Sequence, residues 1–205
     1  MLGPVTMTAE KALEILRHSD TQNDSSFHGG IDLPWDVSPS DFLSFADSDL
    51  EETGGFEEQA LINALSNAKR ALHCQVDSIL YALGLRGVTA SWNLPRRLEL
   101  LSVLGVATRP ALARVNESRN VTEHEYAIPA ESEVRLFLDV VVLFKEATEW
   151  YVAEHNWTFA GPESLSIQLK PQEEKILLNR GECEVHASDP LYAEILGLAL
   201  RLARD

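Results

Sequence analysis

Residues 118–126, SRNVTEHEY, bring an arginine, an asparagine, a histidine and a tyrosine within about two helical turns, and Pro129 closes the segment. Histidine titrates near neutrality, so His124 is the candidate to move a proton as acid or base. Arg119 stays charged and offers forked donors, which suits a phosphate whose negative charge grows in a transition state. Asn120 precedes His124 by one turn, on its face of a helix, where it can orient the imidazole or bond a phosphate oxygen. These residue types allow metal-independent cleavage of a phosphodiester beside a 2′-hydroxyl. Arg119 and His124 are five residues apart, about 140° around an ideal helix, so a single straight helix does not put them on one face. A structural reading fits the same residues. Arg119 and Glu123 stand one turn apart and can pair on a surface, His124 can be a core histidine bonded to Asn120, and Tyr126 can be a half-buried aromatic near a helix end. Glu123 and Glu125 flank His124 and put negative charge where a phosphate would approach.

The formal net charge of −15 opposes a nucleic-acid partner until its distribution is read, because phosphate affinity comes from Lys and Arg. Residues 1–55 hold 2 basic and 11 acidic groups, residues 56–155 hold 10 and 13, and residues 156–205 hold 5 and 8. Most of the acidity is therefore N-terminal. From Arg86 to Arg119, six arginines face only Glu99 and Glu117, and this basic stretch leads into the motif. Arg96, Arg97, Arg109 and Arg114 are the candidate contacts to an RNA backbone.

Other clusters speak more softly. His73 and Cys74 lie mid-helix, with Lys69 and Asp77 one turn on either side of His73; with no orienting third group, this reads as a polar face. Cys74 and Cys183 have no companions at metal-ligand spacing, so neither a disulfide framework nor a zinc site is expected. Glu182, Glu184, His186 and Asp189 alternate in part along a strand edge; their types could bind a metal, and a solvated strand face is the default reading. Trp150, Tyr151 and Trp157 are placed to anchor the C-terminal hairpin, an aromatic platform for a base being the alternative. No cofactor motif occurs. The start MLGPVTMTAEKALEILR lacks the features of a signal peptide, and no apolar run reaches the roughly 20 residues that span a bilayer, so a cytoplasmic location with no membrane partner is expected.

The elements that must carry these residues are mainly helical. A short helix is expected over 8–17, a loop through HSDTQNDSSFHGGIDLPWD, and a helix opened by Ser38, Pro39 and Asp41 and closed at Gly54 and Gly55. Leu61, Leu65, Ala68, Leu72, Val76, Ile79 and Leu83 step by three and four along a long helix over 56–83. A shorter helix spans about 95–104 between Asn93 and Gly105, a third of this central region begins near Thr108 and carries the motif, and the fourth runs 131–154. LSIQL and GECEVHA alternate as strands do, with a turn inside ILLNRGECEV, and a last helix starts at Asp189 and Pro190 with a stripe of Leu191, Ile195, Leu198 and Leu202. The expected organisation is an acidic N-terminal helical arm over 1–55, an antiparallel four-helix bundle over 56–155, and a β-hairpin with a helix over 156–205.

Arg119-Asn120-Val121-Thr122-Glu123-His124 resembles the R-x4-H motif of HEPN domains, and with Tyr126 it is similar to the R-x4-H-x-Y form of HEPN toxins paired with minimal nucleotidyltransferase antitoxins. The resemblance covers roughly residues 56–155. It implies a helical bundle that forms a homodimer with both motifs lining one cleft, a toxin or defence ribonuclease acting on RNA such as tRNA, and Tyr126 as a target for modification by a partner nucleotidyltransferase. The C-terminal hairpin and helix depart from a minimal toxin of that kind. A rival expectation is a non-catalytic interaction module that uses its acidic arm to bind a basic protein partner.

Overall fold

The computed structural model describes residues 6–19, 24–26, 31–51, 57–106, 128–153 and 157–203. Helix dominates among them: α1 (Ala9–Arg17), α2 (Pro39–Glu51), α3 (Glu57–Ala82), α4 (Arg86–Thr89), α5 (Leu94–Val103), α6 (Glu131–Thr148), α7 (Trp150–Ala153) and α8 (Tyr192–Leu202). Strands β1 (Asp24–Ser26), β2 (Thr158–Ala160), β3 (Ser166–Lys170), β4 (Lys175–Leu178) and β5 (Cys183–His186) form one antiparallel meander in chain order. The mainly α expectation holds. The chain packs as two compact units, one from residues 1–32, 79–106 and 151–205, the other from 33–78 and 107–150. Each unit thus gathers residues from both the N-terminal segment and the central one.

In the first unit, α1 is capped by Thr8, whose hydroxyl accepts the Lys11 N–H, and it buries Ala12, Leu13, Ile15 and Leu16. This stripe packs on α8, with Arg17 paired to Glu194 at the rim. The loop expected before Trp35 contains β1, which pairs with β2. Its sequence, Asp-Ser-Ser, has no alternation to announce a strand, because edge pairing uses backbone groups. The sheet buries a single face of Phe159, Ile167, Leu169, Ile176, Leu178 and Val185, and the register sets Phe159 opposite Ile167 and Ile176 opposite Val185. The hairpin expected at the C-terminus is therefore part of a five-stranded sheet.

The buried stripe of α8 also differs from expectation. Tyr192, Ile195, Leu196, Ala199 and Leu200 are buried, while Leu191, Leu198 and Leu202 are half-buried. Two contacts rotate the helix. The Tyr192 hydroxyl donates to the Leu83 carbonyl at 2.7 Å, and Gly197 passes so close to α5 that a Cβ there would lie 3.2 Å from Leu104 Cα and from the Val103 oxygen. Gly84, at φ +67°, ends the α3 segment against the Tyr192 hydroxyl and Pro171, where a side chain would collide.

In the second unit, α2 begins with reciprocal caps: the Asp41 carboxylate accepts from the Ser38 N–H at 2.8 Å and from its hydroxyl at 2.7 Å, and the Ser38 oxygen accepts the Asp41 N–H at 3.1 Å. Ala68, Leu72 and Val76 of α3 are fully buried, as the periodicity predicts. On α6, Val134, Leu138, Val141, Phe144 and Thr148 are buried, and the Gln75 amide donates to the Thr148 hydroxyl at 2.9 Å, which itself donates to the Phe144 carbonyl. The helix expected to continue to residue 154 stops at Thr148 and resumes as α7. The helix expected to begin near Thr108 lies outside the described residues, as do Gly54 and Gly55.

Candidate functional site

Arg109, Arg114, Arg119, Asn120, His124 and Tyr126 all lie outside the described residues, so the geometry that can be built begins at Arg96 and Arg97. Both sit at the start of α5, whose first turn is fixed by the Asn93 side chain accepting the Arg96 N–H at 3.1 Å. With its backbone held there, the Arg96 guanidinium lies over the Trp92 ring, 3.7 Å from its centroid. Arg86 lies over Tyr81 at 5.7 Å, and Arg97 donates to the Ala90 carbonyl at 3.2 Å. These pairs sit within sixteen residues of the first unit, from Tyr81 to Arg96. Arg86 and Arg96 are exposed, and Tyr81 and Trp92 are half-buried beneath them. A guanidinium over an aromatic ring presents fixed positive charge beside a π surface, which suits phosphate and the faces of unpaired bases. Arg97 is more enclosed and spends one donor inside the fold, so Arg86 and Arg96 are the better placed for a ligand. Tyr81 and Trp92 escaped the sequence reading; the signal for them was an aromatic residue four or five positions before an arginine.

The second unit holds a cavity of about 600 Å³ between the segment before α2 and one face of α3. Trp35, Asp36, Val37 and Phe42 form one side, and Lys69, Arg70, His73, Cys74 and Asp77 the other. The cap at Ser38 sets the turn that presents Val37 and Phe42, and the Cys74 thiol donates to the Val37 carbonyl at 3.5 Å. Lys69, His73 and Asp77 thus form a row along the cavity, with Arg70 and Cys74 on the adjacent row. Burial pushes the Cys74 thiol up to about 11; a hydrogen bond involving Ser78 opposes this, and Asp77 and Asp41 add to the rise. At neutral pH Cys74 is a protonated thiol and therefore a poor nucleophile. The polar face expected around His73 exists, half-buried, and lines one side of this open cavity.

No family model, curated protein or solved structure matches the chain.

Two of the remaining sequence candidates, Trp157 and Glu184, have structural roles. Trp157 is 2% exposed and packs on Phe159, with ring centroids 5.9 Å apart, so it anchors the sheet and offers no platform. Glu184 bonds the Lys175 ammonium, which also pairs with Glu173. Among the described residues, no group of three or more His, Cys, Asp or Glu is arranged to hold a metal ion, and no helix is long and apolar enough to cross a membrane.

Proposed function

We propose that this protein is a HEPN-like RNA-binding protein that cleaves RNA by metal-independent transesterification. The observation that carries the reading is the run Arg119-Asn120-x3-His124-x-Tyr126, the six-arginine stretch leading into it adding support. In this reading the helices over 56–155 form the family's bundle, and two copies of the chain bring an Arg119 and a His124 to one cleft, which answers their separation around a single helix. The 2′-hydroxyl attacks the adjacent phosphorus while the bond to the 5′-oxygen breaks. His124 transfers a proton at one of these oxygens, Arg119 stabilises the charge on the phosphorane-like transition state, and Asn120 orients the imidazole. The products are a 2′,3′-cyclic phosphate and a 5′-hydroxyl. Arg96, with Arg86, Arg97, Arg109 and Arg114, holds the strand, tRNA being one candidate. Tyr126 is the residue on which a nucleotidyltransferase partner acts.

The test is incubation of the full chain with tRNA and a mixed RNA pool in EDTA, beside His124→Ala and Arg119→Ala. Cleavage that survives the chelator and is lost in both variants is expected; equal cleavage by wild type and the double variant rules out catalysis at this motif.

A second reading is a non-catalytic module that recruits a basic partner through its N-terminal carboxylates, and the two glutamates beside His124 favour it. Neutralising exposed acids, as in Glu10→Gln, Glu14→Gln, Asp47→Asn and Glu51→Gln, then weakens partner binding and leaves the helical content unchanged.

A further inference from the structure

Helix α6 carries two apolar stripes. Val134, Phe137, Leu138, Val141, Phe144 and Thr148 are buried in the second unit. Leu136, Val140, Leu143 and Ala147 run along another side at steps of four, three and four, the spacing of a seam that receives a second helix. Among the described residues, Leu136 and Leu143 are the most exposed large apolar side chains, at 61% and 69%. Ala147 is exposed as well, and Val140 is half-buried. Single exposed leucines are ordinary, whereas a heptad-spaced row of apolar residues facing water marks a surface made for a partner.

The charges around the stripe select that partner. α6 and its C-cap hold the acids Glu131, Glu133, Asp139, Glu146 and Glu149 against the bases Arg135 and Lys145. Both bases pair within the helix, Arg135 with Glu131 at 2.8 Å and Lys145 with Glu146 and Glu149 at 3.1 and 3.0 Å, so the face stays net acidic. Asp139 and Glu146 each follow a stripe leucine by three residues and are exposed along its edge; Glu146 stays 61% exposed while it pairs with Lys145. α2, which packs on α6, adds Asp41, Asp47, Asp49 and Glu51 and no base. A second copy of the chain fits poorly, because antiparallel pairing through the stripe sets Asp139 and Glu146 against their own equivalents. An anionic lipid surface is repelled in the same way. We propose that this face of α6 binds a basic amphipathic helix of a partner protein. The apolar a and d side chains of that helix pack among Leu136, Val140, Leu143 and Ala147, and its flanking lysines or arginines reach Asp139 and Glu146. None of these residues belongs to the arginine–histidine motif, so the face serves whether or not RNA is cleaved.

The test is calorimetric titration of the full chain with a synthetic helix of about three heptads, leucine at a and d and lysine at e and g, the lysines keeping the peptide from pairing with itself. Binding is expected. Leu143→Ser is expected to weaken it about tenfold or more and to leave the circular dichroism unchanged, because the side chain it truncates is exposed. The double variant Asp139→Lys, Glu146→Lys is expected to lose affinity for this peptide and to gain affinity for the version with glutamate at e and g, a reversal that a misfolded variant does not produce. The proposal is overturned if the lysine peptide gives no binding at millimolar concentration, or if the double variant shows no reversal of preference. It is also overturned if the lysine peptide with serine at a and d binds as tightly, which leaves only attraction between opposite net charges. Sedimentation that shows the free chain self-associating, and Leu143→Ser monomeric, overturns it by assigning the face to a second copy.

Discussion

Ser38 and Asp41 show how much one pair of side chains decides locally. The serine oxygen takes a helix N–H that has no partner within the helix, and the carboxylate returns two bonds to the serine. Ser38→Ala is expected to cost about 1 kcal/mol in urea denaturation. Hydrogen bonds from the Ser38 side chain and backbone hold the Asp41 carboxyl below its ordinary value of 3.8, against a small opposing effect of burial. Because the folded value is the lower one, the cap contributes fully above 3.8 and fades as pH falls through the lowered value. An NMR titration of the Asp41 carboxyl should follow that order; a midpoint at or above 3.8 contradicts it. Cys74 has the opposite sign. With its thiol pushed up to about 11 from 9.0, the protonated form is favoured by folding, so its contribution to stability is intact below 9.0 and is lost as pH rises through 11. Alkylation by iodoacetamide, followed by mass spectrometry of the Cys74 peptide, should be slower than for a model thiol at pH 8 and should accelerate up to about pH 11. Rapid neutral labelling contradicts a thiol raised to about 11.

At the scale of elements, the helices were legible where their ends carry chemistry. Asn93 and Gly105 bracket α5 as expected, because a side-chain cap and a left-handed residue, here at φ +76°, have unambiguous residue preferences. The exposed face of α8 was harder to read. Leucines occur around much of that helix, and only the approach at Gly197 and the Tyr192 bond select the side that turns inward. Gly197→Val is expected to destabilise by about 1–3 kcal/mol, since the atoms it meets are backbone and cannot swing aside. The buried pair Gln75 and Thr148 makes a separate prediction for α3 and α6. Thr148→Val leaves the Gln75 amide without that acceptor and should cost about 1–3 kcal/mol, while adding Gln75→Leu should recover much of the loss. Additive losses in the double variant, measured by denaturant unfolding, refute the pairing.

At the scale of the whole molecule, the segment over 1–55 is distributed between two packed units and does not form one separate body. Deleting it removes Leu13, Ile15 and Leu16 from the α8 contact and α2 from the second unit, so the truncated chain is expected to lose cooperative unfolding. Charge-neutralising substitutions are therefore the sound test of its acidity. If RNA binds, the double variant Arg86→Ala, Arg96→Ala is expected to lose affinity by about tenfold or more and to show a shallower dependence on salt, because each guanidinium contributes both a stacking plane and a phosphate contact. An unchanged salt slope removes these two residues from the interface. The sequence by itself determined the helical content, the caps, the core stripe of α3 and the residue types of the motif, because periodicity and end preferences act over a few neighbouring residues. Only the tertiary structure decided that residues 24–26 join a sheet with residues 158–160, that the polar row of α3 lines a cavity facing Trp35, and that Arg86 and Arg96 each lie over an aromatic ring. Those outcomes depend on packing between separated segments and on side-chain placement in space, which no local pattern of residues encodes.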